Sequence, residues 1–316
     1  METLGVLAHR GGFVVRRPEL SVGVVQMVSR PSGLEVELLA RRPLDRRSAL
    51  ERQSDIRAGK GVPVPAPRRL LPPFDEGMEL RVGWLDAGQR AHWEFGSVSS
   101  RSGGHFGGEV GPSLRTVLDF PALFDHVSLV LAWPEIGFPE TVVGLSLPDR
   151  ATVERRAMSI WSAPLHAVPV PESLHYRVSA APASELAVEA GRVVAGPQVV
   201  SRGDQAAVVL TRLTALGSVL AAQLVSVARN DAAEAVMDAN DLERMRAGAS
   251  IATIVGTDAV RGQPQDGTAT GGHRAYQANT EFLLSGPAED AVDLIVAWPA
   301  AGLPAVRVTI ARGPGT

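Results

Sequence analysis

The stretch "VLAWPEIGFPE" at residues 130–140 returns near the end of the chain as "VAWPAAGLPA" at 296–305, with Trp133 and Trp298 165 positions apart. A recurrence at so long a period repeats a whole domain rather than one short unit. Four further matches keep the same order in both halves. "GGHF" at 103–106 faces "GGHR" at 271–274, and "ELRVGWLDAG" at 79–88 faces "SIATIVGTDAV" at 250–260. "DIRAG" at 55–59 faces "RMRAG" at 244–248, and "SGLEVELLARR" at 32–42 faces "SVLAAQLVSVA" at 218–228. Each change of offset is one small insertion or deletion, so two copies are expected, over roughly 12–161 and 176–313.

Local patterns predict the elements. "LSVGVVQMVSR" (20–30) and "GLEVELLARR" (33–42) are apolar, β-rich runs joined through "PSG", a hairpin; "AAVVLTRL" (206–213) and "VLAAQLVSVAR" (219–229) repeat it around Gly217. A helix follows in each copy. Over 230–248 it has Asn230 or Asp231 as cap, Glu234 placed for a capping box and Gly248 as stop; over 44–59 it ends at Gly59. A strand, a long polar loop and a further strand lead to the Trp-Pro strand, whose run is apolar on both faces. The proline after Trp ends the ladder and the glycine permits a positive φ, so the phrase reads as a hairpin end. The expected fold class is α+β: two tandem copies of a mainly antiparallel β domain, each with a covering helix.

The expected division is a first domain at 1–161, a Pro-rich linker at 162–175 and a second domain at 176–316. The first carries a five-proline insertion, "GKGVPVPAPRRLLPPFDEG", at 59–77. Prolines 164, 169 and 171 should keep the linker extended. A chain of 316 residues suits about two domains of ~100–200 residues each. Net charge is −3, which argues against nucleic acid, and no apolar run approaches the ~18 residues of a membrane helix. Cysteine is absent, excluding disulfides, thiolate metal sites and cysteine nucleophiles. The start lacks a basic residue run before an apolar core, so a cytoplasmic location is expected.

No catalytic signature is present: no G-x-S-x-G elbow, no phosphate loop, no H-E-x-x-H. Gly-Gly-His in both copies makes His105 and His273 the candidate bases or metal ligands, presented by glycines of free backbone angle. One histidine per copy lacks the companions a metal needs, so no metal and no cofactor are expected. The run "PVPAPRRLLPPF" (63–74) has polyproline II character and two arginines, as a docking peptide does, which marks Arg68 and Arg69 as interaction candidates. Trp133 and Trp298 are the others, with packing over the hairpin as their ordinary role.

The residues "LVLAWPEIGFPET" (129–141), followed by "RATVERRAMSIW" (150–161), resemble a pattern of uncharacterised proteins from high-GC actinobacteria, in which a strand ending in Trp-Pro turns through glycine into another strand, then a helix and a Trp. Thirty of the 31 basic residues are Arg, which agrees. The second copy departs where Ala305 replaces Glu140 and lacks the trailing helix. The resemblance implies no activity and no site residue. The function expected from the sequence is a non-catalytic binding or structural scaffold acting through a protein partner or self-association. The alternative is a small-molecule enzyme or ligand-binding protein with its site at the junction of the copies.

Overall fold

A computed structural model describes residues 2–60, 63–94, 97–101, 113–178, 191–216, 219–240, 248–285 and 291–311. The chain forms two compact units, one of Gly11–Glu154 and one of Met1–Arg10 with Arg155–Thr316. The first ten residues, read from sequence with the first domain, thus belong with the later unit. Their strands are β1 (Thr3–Leu4) and β2 (Val6–His9).

The unit Gly11–Glu154 runs β3 (Gly12–Arg16), β4 (Ser21–Arg30), β5 (Gly33–Arg41), α1 (Ala49–Arg57), β6 (Arg81–Leu85), β7 (Ala91–Glu94), β8 (Ser97–Arg101), β9 (Ser113–Phe120), β10 (His126–Trp133) and β11 (Phe138–Ser146), with α2 (Arg150–Arg156) crossing its end. Two antiparallel sheets result. One has the order β4-β5-β9-β8 with β3 also on β4; the other has the order β11-β10-β6-β7. The β4–β5 hairpin closes at Arg30 opposite Gly33, a two-residue turn through Pro31 and Ser32, as the sequence predicts.

The other unit continues with β12 (Met158–Ser159), β13 (Ala167–Pro169), β14 (His175–Val178), β15 (Arg192–Ala195), β16 (Gln198–Arg202), β17 (Ala206–Leu216), β18 (Val219–Arg229), α3 (Asp231–Asn240), β19 (Ser250–Val255), β20 (Asp258–Arg261), β21 (Gln263–Gly272), β22 (Ala275–Ser285), β23 (Ala291–Trp298) and β24 (Leu303–Ala311). Its sheets have the orders β15-β17-β18-β22-β21, with β16 also on β17, and β13-β24-β23-β19-β20-β14. β14 pairs with β20 in parallel; the other pairings of these sheets are antiparallel. The supposed linker therefore supplies strand β13, on one edge of the second of these sheets, and β14 on the other edge begins at its last residue, His175. The polar loop expected after β19 is instead β20 and β21.

Both long hairpins carry a bulge, with five paired residues between it and the turn. The register slips between Val24 and Gln26, and between Leu210 and Arg212. Strand side chains alternate, so the extra residue exchanges the two faces of the strand. On one face Val208, Leu210, Leu213, Ala222 and Leu224 join the core with Leu294, Val296 and Trp298. On the other, Ala207, Val209 and Val225 pack with Leu4, Ile160 and Ala163, so this sheet is buried on both sides. Past the bulge the second face turns polar: Gln26 stands opposite Glu37, and Arg212 opposite Gln223. Each buried charge has a partner. Arg115 meets Glu37, and Glu281 lies 2.8 Å from Arg212. The Thr211 hydroxyl donates to the Gln223 carbonyl at 3.1 Å, filling the bulge itself.

Helices α1 and α3 are held by different means. α1 has a capping box: Ser48 Oγ accepts from the Glu51 amide at 3.2 Å while Glu51 accepts from the Ser48 amide at 2.6 Å. Arg47 bridges Asp45 and Asp55. None of its residues is buried, so it covers no sheet, contrary to the sequence expectation; its only large apolar side chains, Leu50 and Ile56, are exposed. α3 instead buries Ala233 and Val236 in the core, and the Gln205 side chain accepts from the Ala232 amide at its start.

The repeated phrase is a hairpin end in both units. Pro134–Ile136 and Pro299–Ala301 form single 3-10 turns closed by left-handed Gly137 and Gly302 at φ 79° and 73°. The two tryptophans differ. Trp298 is 2% exposed and lies 6.2 Å from the Tyr276 ring, whereas Trp133 is half-buried, donates its indole N–H to the Met78 carbonyl at 3.2 Å and carries Arg42 over its ring. Trp298→Ala should cost about 3–5 kcal/mol, and Trp133→Ala less because Trp133 is only partly buried. Urea unfolding midpoints of the two variants check this order.

Candidate functional site

The clearest constructed feature outside the core is the seat of the proline-rich insertion on the smaller sheet of the first unit. Glu140, at the start of β11, accepts backbone hydrogen bonds from three consecutive residues: Arg69 at 2.8 Å, Leu70 at 2.8 and 2.9 Å, and Leu71 at 2.8 Å. Successive amides converging on one point make a concavity for an anion, and here the chain's own carboxylate fills it. Trp93 of β7 donates to the Leu70 carbonyl at 3.1 Å. The Ala66 amide bonds the Pro134 carbonyl, and the Glu135 amide bonds the Gly77 carbonyl, so the 3-10 turn is clamped on both sides. Gly77 has φ 69°, and a Cβ there would come within 2.9 Å of the Pro134 ring, so glycine is required.

A second anchor lies one turn further on. Asp75, 6% exposed, accepts from the Gly77 amide at 2.8 Å and from Arg81 Nε at 2.7 Å, while Arg68 donates to its carbonyl. Burial opposes ionisation of Asp75, but the Arg81 guanidinium and the Gly77 amide outweigh it and hold the carboxyl below its usual range. Leu71 is buried beneath, and Val64, Phe74 and Met78 are 84%, 81% and 53% exposed. Phe74, Glu76, Met78 and Glu79 line an open cavity of about 370 Å³ beside this anchor. Apolar side chains are thus held in water on a backbone that is fixed from below.

Of the residues singled out from sequence, Arg68 and Arg69 lie in this seat, Arg68 through its guanidinium and Arg69 through its backbone. Trp133 borders it at Met78, and Trp298 lies in the core of the other unit. His273 is exposed in the two-residue turn between β21 and β22. Of the two glycines before it, Gly271 has a backbone reason: its φ is 143°, and a Cβ there would meet the Ala275 carbonyl oxygen at 2.3 Å. His105 lies outside the described residues. Among the described residues no group of three or more His, Cys, Asp or Glu is placed to hold a metal ion, and no helix is long and apolar enough to cross a membrane.

Sequence reasoning missed the roles of Glu140, Asp75 and the β6–β7 turn. In that turn Asp86 accepts from the Arg90 amide at 3.0 Å and from His92 at 2.9 Å, and His92 stacks on Trp84 at 4.4 Å. The His92 imidazole and the Arg90 amide hold the Asp86 carboxyl well below the usual range. The one sequence signal for Glu140 was a departure between the two Trp-Pro phrases: Ala305 stands in the second where Glu140 stands in the first.

Glu140→Ala should free the insertion. Trypsin cleavage after Arg68 or Arg69 should accelerate strongly, Glu140→Gln should lie between, and the loss of the charged acceptor should cost on the order of 1.5–3 kcal/mol. Asp75 adds a pH signature. Its depressed folded value makes its contribution present above the ordinary Asp range of ~3.9 and lost as pH falls through the folded value. The melting-temperature advantage of wild type over Asp75→Asn should therefore hold from neutral pH down to about pH 4 and close below it.

No protein-family model and no curated protein matches this chain. Among solved structures it is similar to a conserved domain protein from Bacillus anthracis, at 7% identity over 90% of this chain and 75% of that one, with a TM-score of 0.21. It is also similar to the N-terminal periplasmic domain of ScsB from Proteus mirabilis, at 11% identity over 97% and 100%, with a TM-score of 0.23. A third is bovine butyrophilin, at 7% identity over 89% and 92%, with a TM-score of 0.20. At TM-scores of this size neither fold nor function carries over.

Proposed function

We propose that the chain is a non-catalytic binding or scaffold protein of the cytoplasm, built from two copies of one domain and acting through protein–protein contacts. Support for the two copies is the shared pairing order. β11-β10-β6-β7 corresponds to β24-β23-β19-β20, and β4-β5-β9-β8 to β17-β18-β22-β21. The bulges at Val24/Gln26 and Leu210/Arg212 are offset by the 186 residues that separate the matching hairpin sequences. Support for binding is the exposed apolar set Val64, Phe74 and Met78 on a backbone pinned by Glu140 and Asp75. Rigid presentation lowers the ordering cost of association, and exposed aromatic and methionine side chains are the common anchors of interfaces.

A photo-crosslinking residue placed at Phe74 in producing cells should give discrete protein adducts absent when it is placed at exposed Glu172. Native mass spectrometry of the same protein should show no stoichiometric metal or metabolite. Equal adducts at both positions, or a retained small molecule, would overturn the reading.

A further inference from the structure

Aromatic rings near the surface of this chain carry arginines. The guanidinium of Arg16 lies 4.0 Å from the centre of the Phe13 ring, Arg150 4.5 Å from Phe124, Arg229 4.0 Å from Trp161 and Arg42 5.6 Å from Trp133. A guanidinium over a ring face is attracted by the ring quadrupole, and its stem covers apolar surface. Phe74 has no such cover among the described residues. It is 81% exposed, against 49% for Phe13, and it borders the open cavity of about 370 Å³ beside the Asp75 anchor.

The wall of that cavity is acidic. Asp75, Glu76 and Glu79 line it against one guanidinium, Arg81, and Met78 joins Phe74 as its apolar part. Asp75 is taken by Arg81 Nε and the Gly77 amide. Arg81 also reaches Glu79 at 3.0 Å, but the Glu79 side chain stays 71% exposed. Glu76 is exposed, and no cation pairs with it among the described residues. Arg68 and Arg42 are engaged elsewhere in the seat, Arg68 on the Asp75 carbonyl and Arg42 over Trp133. Two carboxylates are therefore left in water beside an uncovered phenyl ring.

These groups select one kind of ligand. Carboxylates call for a cation, yet among the described residues they are not grouped to hold a metal ion. A ring face and a thioether suit a weakly hydrated cation. Guanidinium stacks on aromatic rings and meets carboxylates through paired N–H donors, whereas the lysine ammonium is compact and strongly hydrated. The cavity is at the small end of the ~300–1,000 Å³ of ligand pockets, a size that suits one long side chain. We propose that it receives an arginine side chain of a partner protein, with the guanidinium on Phe74 and its N–H groups donating to Glu76 and Glu79. This rests on the reading of the chain as a protein-binding scaffold and names the chemistry of the partner at Phe74. The backbone pinned by Glu140 and Asp75 keeps the ordering cost of such a contact low.

The test is a titration of the full chain, labelled with carbon-13 at the methyl groups of its six methionines. The probes are end-blocked Gly-Arg-Gly, Gly-Lys-Gly and the neutral isostere Gly-citrulline-Gly, and the signal missing from Met78→Leu identifies the reporter. The Met78 signal should move saturably with the arginine peptide, bind it about two- to fivefold more tightly than the lysine peptide, and stay still with citrulline. Phe74→Leu should abolish the preference for arginine over lysine, and Glu76→Gln should weaken both, with circular dichroism unchanged. No movement with the arginine peptide, an equal response to lysine, a response to citrulline, or an arginine preference that survives Phe74→Leu overturns the inference. The crosslinking at Phe74 reports separately. Adducts there without an arginine preference sink this inference and spare the scaffold reading; an arginine preference without adducts does the reverse.

Discussion

The long bulged hairpin is the element from which the rest of each unit hangs. β17 and β18 pair over nearly their whole length, and β15, β16 and β22 join on their outer edges. The bulge at Thr211 decides which side chains enter the core. Before it Val208 and Leu210 face inward; after it Leu213 does, and Arg212 is turned to the opposite face. A guanidinium buried there is tolerable only with a carboxylate, and Glu281 reaches it across β18. The first unit answers the same geometry with other residues. Gln26 stands at the bulge, Glu37 is the buried charge, and Arg115 comes from β9. The backbone feature is common to both, and the chemistry that compensates it is not.

The proline-rich insertion shows how a segment of low helix and strand propensity becomes fixed. Proline restricts its backbone before folding, which lowers the entropy lost on docking. The docking itself depends on few groups: a carboxylate that gathers three amides, an indole on a carbonyl, and an aspartate shared between an arginine and an amide. Backbone groups that a loop would otherwise leave to water are satisfied, and the side chains are left outward. That division is why Val64, Phe74 and Met78 are exposed on a well-anchored backbone.

Much of this was legible in the chain. The hairpins at Pro31–Ser32 and around Gly217 and the glycine-closed turns after both tryptophans are set by local residue chemistry, which acts over a few positions. Four things were not legible. The long polar loop proved to be β20 and β21, because Gly, Thr and Gln are accepted in a strand paired along its whole length with β22. The first helix covers nothing, because a cap and three charges suffice to form a helix of nine residues whether or not it packs. The linker proved to carry an edge strand, because Ala167–Pro169 found an open ladder on β24. Residues 1–10 joined the later unit, where Leu4 enters its core.

By itself, then, the sequence determined the long hairpins and the glycine-closed turns after both tryptophans, since alternation, glycine and proline act through the local backbone. Only the tertiary structure decided that Trp298 is core while Trp133 holds the insertion, that Glu140 is a clamp rather than a surface charge, and that β24 takes β13 on its outer edge while β11 ends its sheet among the described residues. Those outcomes depend on which distant segment arrives opposite each residue, and pairing partners separated by seventy positions, as Leu70 and Glu140 are, leave no pattern in their own neighbourhoods.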